Sequence, residues 1–293
     1  MNVDHLDKNF NNQSIAFVIA SYQPVKEASD LLRKAIKSIL KHKDHDVSLW
    51  IIDIGSPNSD HIVNPEEFPT VNFIYRSFEI RCFGFSIGFK ERIKEILKLR
   101  VIPKRHGSYA NGYALNYIVS YFKKINYNPE YFITSQQDIL VLSKDFFSDM
   151  KKKFLPKTFA VGMLKQKNIS NEFEILHSLC CMWRFKYILS SKFGFLPDLP
   201  RFDVGEKIII EFKQNGLLMD HFRNSYNDKS VLNLIEKKFL EIGDGVDRAI
   251  NDRSEVIFMH LGRGVSKSVG VYKKKNKTNV KQWIEWCKKY LEF

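Results

Sequence analysis

Cysteine is scarce: the chain of 293 residues has four. Cys180 and Cys181 are adjacent, Cys82 and Cys287 stand alone, and no C-x-x-C occurs. That excludes a disulfide framework and a cysteine zinc site, so buried free thiols are expected. Long apolar runs are lacking too. Stretches such as 15–20 fall far short of the ~20 residues that span a bilayer. The polar start, residues 1–13, lacks the basic-then-apolar order of a secretory signal. A cytoplasmic protein is expected, placed at most against the inner face of a membrane. There is no internal repeat, no low-complexity linker and no recognised nucleic-acid motif.

What is present fits a globular chain: 44% hydrophobic and 27% charged residues, enough to bury one large core. The net charge of +13 gathers in two places, 90–105 and 273–289, the latter with seven lysines. A basic surface favours anionic partners, whether lipid headgroups, nucleic acid or phosphorylated substrates, and chooses none of them.

Residues 15–22 (IAFVIASY) read as a strand. After Pro24, apolar residues at 25, 28, 31, 32, 35, 36, 39 and 40 trace one helical face. Residues 49–54 (LWIIDI) read as a second buried strand, stopped by Gly55-Ser56-Pro57-Asn58, and 71–78 as a third. Strand, helix, strand implies parallel pairing with helices on the sheet faces. Ligands in such sheets bind beyond the carboxyl ends of the strands, so loops 20–24 and 53–60 are expected to share one crevice. A helix over 108–124 and a strand interrupted by polar residues over 131–142 follow. Residues 158–164 and 176–187 are strand or buried helix, and 256–259 a last strand. In 279–293, Trp283, Trp286, Tyr290 and Leu291 share one side of a helix. Membrane-surface binding and packing back on the domain explain that side equally well.

Three segments offer chemistry. Asp138, in Gln136-Gln137-Asp138, stands at a sheet edge facing the crevice; its carboxylate suits Mg²⁺ or Mn²⁺, or else caps a turn. His260 ends the last strand before Leu261-Gly262-Arg263-Gly264. Imidazole can complete a Mn²⁺ shell, and a glycine-rich loop with Arg263 suits phosphate. Asp203 and Glu206 precede a helix at 207–212. Either is a candidate general base, although the helix dipole alone accounts for Glu206.

In order and spacing these segments resemble GT-A glycosyltransferases, especially the large inverting group that makes bacterial surface polysaccharides, over 15–264. The resemblance implies an α/β fold with a mostly parallel, helix-flanked sheet. It divides the chain into a domain at 1–265, with a nucleotide-sugar half to about 145 and an acceptor half beyond, and a tail helix at 266–293. Ala20-Ser21-Tyr22 resembles the first nucleotide-contacting loop, and Asp53 with Ser56 the second. Asn111 and Asn116 match the polar positions of a helix beneath the donor. Gln136-Gln137-Asp138 falls where the family has Asp-x-Asp, so Asp138 inherits the metal and Gln136 replaces the first aspartate, weakening affinity for Mn²⁺ or Mg²⁺. His260 matches a further metal ligand.

The implied partners are a nucleotide-sugar donor, UDP-linked first, and a glycan or lipid-linked acceptor. An anionic membrane surface is a possible partner, with a nucleic-acid acceptor the weaker option. Two rivals stand beside this reading. Gly84-Phe85-Ser86-Ile87-Gly88 fits the nucleophile elbow of a serine hydrolase, with Asp203 and His260 in the required chain order. The other rival is an inactive nucleotide-sugar-binding protein, consistent with Gln136.

Overall fold

The computed structural model describes residues 3–7, 9–57, 59–76, 106–165, 174–199, 201–270 and 277–291. The chain opens with a short strand, β1 (Val3–His5), followed by β2 (Ile15–Ser21), α1 (Lys26–His42), β3 (Val47–Ile54) and β4 (Asn72–Arg76). Both faces of β2 are buried, which is why its sequence runs apolar instead of alternating. Ile15, Phe17 and Ile19 point to the α1 side, with Leu32, Ala35, Ile36 and Ile39. Ala16 and Val18 point to the other side, against Ala114, Leu115 and Ile118 of α2 (His106–Lys124). The charges at the ends of α1, Glu27 in its first turn and Lys41 and His42 in its last, agree with the helix dipole.

The second half supplies β5 (Tyr131–Gln136), β6 (Ile139–Val141), α3 (Phe146–Lys152), β7 (Thr158–Leu164), β8 (Leu176–Arg184) and α4 (Phe185–Ser190). Then come α5 (Glu206–Gln214), β9 (Leu218–Asn224), α6 (Lys237–Leu240), β10 (Val246–Ile250), β11 (Val256–Leu261), α7 (Gly264–Ser268) and α8 (Val280–Tyr290). The strands form one sheet in the order β1-β4-β3-β2-β5-β8-β7-β9-β10-β11-β6.

The α/β class and the helix-flanked central sheet are those expected. Parallel pairing, however, is confined to β4-β3-β2-β5 and to β7-β9; the remaining pairs are antiparallel. The sheet is therefore mixed, and parallel in the half that carries the strand–helix–strand pattern. The third strand is shorter than the 71–78 reading, and residues 77 and 78 lie outside the described residues. The 131–142 segment is two strands that part company. After Gln137-Asp138 the chain leaves β5 and pairs β6 with β11 at the far edge.

The tail helix α8 belongs to the core. Trp283, Trp286 and Cys287 are buried with Leu31, Met259 and Leu261. Burying a side chain of tryptophan size contributes on the order of 3 kcal/mol, so the aromatic side of α8 is packing surface. Among the described residues no helix is long and apolar enough to cross a membrane. Cys180, Cys181 and Cys287 are buried free thiols, as expected.

Candidate active site

Loops 20–24 and 53–60 do meet, and Asp53 is the hub that joins them. Ser21 lies opposite Asp53 in the β2–β3 register. Asp53 Oδ2 accepts hydrogen bonds from Ser21 Oγ (2.7 Å), Gln23 Nε2 (2.9 Å) and Ser56 Oγ (2.7 Å), and Oδ1 accepts from the Ser56 amide (3.1 Å). Its burial raises the carboxyl pKa against the pull of those donors. Every hydrogen bond that the structure gives this carboxylate is spent on loop geometry. Ser21 and Ser56 are held by the same hub, Ala20 lies opposite Gln136 at the end of β2, and Tyr22 is exposed at the rim.

Gln137 locks a third loop to the first. Its Oε1 accepts from the Tyr22 amide at 2.6 Å, and its Nε2 donates to the Ala28 carbonyl at 2.8 Å. Gln137 is buried, which makes it a strut, and it sets the next residue, Asp138, beside the last strand.

Asp138 and His260 then come together, although 122 positions separate 138 from 260. Asp138 Oδ2 accepts from the Gly264 amide at 2.7 Å and lies 3.6 Å from His260 Nε2. His260 Nδ1 faces Asp247 Oδ2 at 3.1 Å, the two residues being directly opposite on β10 and β11. Burial disfavours charge on His260, but Asp138 and Asp247 together outweigh it and push its pKa up to about 9. Asp247 is held below the usual carboxylate range by His260 despite its own burial.

Three polar atoms here are buried without a hydrogen-bond partner: Asp138 Oδ1, His260 Nε2 and Lys267 Nζ. Burial lowers the Lys267 pKa against the attraction of Asp138 and Asp247. Orphaned groups in a native interior call for an explanation, and a catalytic role, an ordered water or a bound ion each supplies one. A hard oxygen and an imidazole facing each other, with Asp247 orienting the ring from behind, fit a divalent cation whose shell donor phosphates complete. No third His, Cys, Asp or Glu joins them as a metal-holding group among the described residues. Arg263, in left-handed backbone (φ 64°), directly precedes Gly264 at the start of α7.

Asp203 and Glu206 share one cation that the sequence did not single out. Lys165 Nζ lies 2.6 Å from Glu206 Oε1 and 3.2 Å from Asp203 Oδ2. Glu206 Oε2 also accepts from the Asp203 amide at 2.9 Å, so Glu206 closes the turn that starts α5. The Glu206 side chain is 5% exposed and that of Asp203 34%. Burial would raise the Asp203 pKa, but Lys165, the Val204 amide and the Ser108 hydroxyl hold it below the usual range.

His177 bridges the two clusters. Its ring centroid is 6.2 Å from that of His260, and it lines a small cleft with Lys165, Asp203 and Glu206. Burial, with the charges of His260 and Lys165, pushes its pKa down to about 4, and its Nδ1 accepts from the Leu179 amide. A bulge puts it there. Between the pairs Val161↔Met182 and Met163↔His177 the register shifts, with Cys180 at φ 50°. Bulges re-aim side chains at sites, and no sequence period announces them.

Two further expected donor residues lie on α2. Asn116 Oδ1 accepts from the Phe195 amide at 2.7 Å, bracing a loop two turns along α2 from Ser108. Asn111 has a buried Oδ1 without a partner. Ser86 of the hydrolase reading lies outside the described residues. The other two members of that triad do not pair: His260 bonds Asp247, while Asp203 bonds Lys165.

No family model and no curated protein matches the chain. Among solved structures it is similar to a mannosyltransferase from Pyrobaculum calidifontis in complex with GDP-Man and Mn2+: 11% identity, TM-score 0.46, 74% of this chain and 56% of that one. It is also similar to 4-diphosphocytidyl-2C-methyl-D-erythritol synthase, at 9% identity, TM-score 0.39, and 71% and 87% of the two chains. A third is mouse xyloside xylosyltransferase 1 in its apo form, at 11% identity, TM-score 0.33, and 61% and 69%. The chain matches just over half the length of the first of these. The fold itself is a mixed α/β sheet flanked by helices. Likeness of this degree carries nothing about activity, which has to come from the site.

Proposed function

We propose that the chain is a glycosyltransferase that moves a sugar from a nucleotide-sugar donor to an acceptor hydroxyl with inversion. The observation that carries this reading is the 6.2 Å contact between His177 and His260. It joins a buried group of polar atoms without hydrogen-bond partners to a partly exposed carboxylate beside a lysine. On this reading the Asp138 side would take the leaving group and the Asp203 side the acceptor.

The nucleotide lies over the Ser21–Tyr22 and Asp53–Ser56 loops, which the Asp53 hub holds in shape. The diphosphate faces Asp138, His260, Lys267 and Arg263. Asp138 and His260 would hold a Mn²⁺ or Mg²⁺ ion, which supplies Lewis-acid neutralisation of the departing diphosphate. Lys267 and Arg263 place positive charge against the same phosphates. Asp203, ionised by its surroundings and still reachable, takes the acceptor proton, and Lys165 holds it in place. Glu206, buried and doubly bonded, positions Lys165 and the turn. The donor is UDP-linked and the sugar a hexose on the family resemblance, and the acceptor is a glycan or a lipid-linked one. The basic surface fits work at an anionic membrane.

The test is a panel of UDP-, GDP-, dTDP- and CMP-sugars with Mn²⁺, read as thermal midpoint and as released nucleoside diphosphate. A ligand that binds only the folded state raises its apparent stability. One donor is expected to raise the midpoint and be turned over. If none of the four does either, the reading fails.

A further inference from the structure

A groove of about 380 Å³ lies between one face of α2 and the segment 188–196, separate from the cleft at Lys165. Its volume falls within the ~300–1,000 Å³ typical of small-molecule sites. Tyr109, Tyr113, Asn116 and Lys123 recur along α2 at helical spacing and form one wall. Lys192 and Phe193, both exposed, form part of the other.

The groove is tied to the candidate base at both walls. Tyr109 follows Ser108, whose hydroxyl bonds Asp203. On the other side the Phe195 carbonyl accepts from the Gly205 amide at 3.2 Å, and the Asp198–Phe202 bridge closes the intervening loop.

Its chemistry is mixed in a defined way. Aromatic rings offer flat apolar faces with polar edges. The Tyr109 hydroxyl is buried without a hydrogen-bond partner. Lys123 and Lys192 bring two ammonium groups, while the lining holds no aspartate or glutamate. Among the described residues neither lysine's ammonium forms an ion pair; the Glu211 carboxylate nearby is held by the Ser191 hydroxyl and the Lys192 amide. An acyl chain asks for an unbroken apolar lining, which Asn116, Ser120 and the two lysines interrupt. A nucleic-acid strand asks for a longer row of cations than two.

We propose that this groove is an oligosaccharide site for an acidic glycan: rings stack on the tyrosines and Phe193, and carboxylates meet Lys123 and Lys192. That the glycan is the acceptor rests on the glycosyltransferase reading; that it binds here does not.

Calorimetric titration with tetragalacturonate tests this, beside neutral maltotetraose and dodecyl phosphate as probes. Each is titrated into the wild type, into Lys123→Glu/Lys192→Glu and into Tyr113→Ala. Tetragalacturonate is expected to bind the wild type more tightly than either control and less tightly as salt rises. The double reversal is expected to weaken it by about ten-fold or more, with the thermal shift from nucleotide sugars unchanged. Equal binding by the double variant, or tighter binding of maltotetraose or dodecyl phosphate, overturns the proposal. Tetragalacturonate binding that the variants weaken, in a protein no nucleotide sugar stabilises, keeps the groove and removes the transferase. The reverse result keeps the transferase and removes the groove.

Discussion

Lys165 Nζ stands 2.6 Å from Glu206 Oε1, closer than to any other carboxylate it faces, and that contact separates two acids the sequence left equivalent. Glu206 is the buried anchor and Asp203 the reachable one. Asp203→Asn is expected to lower kcat by ~10²–10⁴, the usual worth of a general base, with the donor-induced thermal shift intact. Glu206→Ala leaves the Lys165 charge without its closest partner; breaking a buried pair costs ~3–5 kcal/mol, so its main effect is a lower denaturant midpoint. Activity loss in the glutamate variant without loss of stability would reverse the two roles.

The same lysine sets a pH dependence. Asp203 is held below the ordinary aspartate value of ~3.9, so a rate that needs it ionised stays flat through the weakly acidic range. A depressed carboxyl also contributes stability that is present above its unfolded pKa and lost as pH falls through the folded one. Lys165→Met removes the charge that depresses it and leaves the burial that raises it. The acidic limb of kcat/KM is expected to move upward in this variant. A limb that does not move would make Lys165 a merely structural residue.

The strand–helix–strand opening was legible because both faces of β2 and one face of α1 are buried, which leaves an apolar signature in the residues themselves. The meeting of loops 20–24 and 53–60 followed from parallel pairing alone. Asp138 and His260 were legible as single residues with the right chemistry, but their shared position depends on β6 leaving β5 for β11, which no period records. Asp247 escaped notice because β10 is five residues long and carries Asp247 and Arg248 among its apolar ones. His177 was hidden by the bulge at Cys180, and Lys165 by the turn that brings two carboxylates to it. Asn116, matched by position to donor contacts, also braces a loop through its Oδ1, a bond between distant segments that no local pattern announces.

Gly264 gives a steric test of the Asp138 placement. A Cβ on this residue would lie 2.6 Å from Asp138 Cβ and 2.8 Å from its Oδ2, closer than real contacts allow. Gly264→Ala therefore has to push Asp138 away from His260 and strain the amide bond that Gly264 donates to it. Loss of the Mn²⁺-dependent donor shift is expected, with turnover falling at least ~10-fold, as misplacements of about 1 Å at a site do. Unchanged turnover would mean that Asp138 does not face the donor.

Lys267 separates function from stability by sign. Its ammonium is buried without a hydrogen bond, and burial outweighs the attraction of Asp138 and Asp247, so the folded protein disfavours the charge it carries. A group whose folded pKa is depressed in this way, when it is a lysine, makes the fold less stable at pH 7 than an uncharged side chain of the same reach would. Lys267→Met keeps the unbranched stem and removes the charge. The denaturant midpoint of this variant without donor is expected to rise. Its affinity for the nucleoside diphosphate is expected to fall by about ten-fold, since a charged hydrogen bond is worth ~1.5–3 kcal/mol. Both can be read on one sample by unfolding with and without nucleotide. A lower midpoint with unchanged nucleotide binding would show that Lys267 serves the fold and leave the diphosphate without its buried cation.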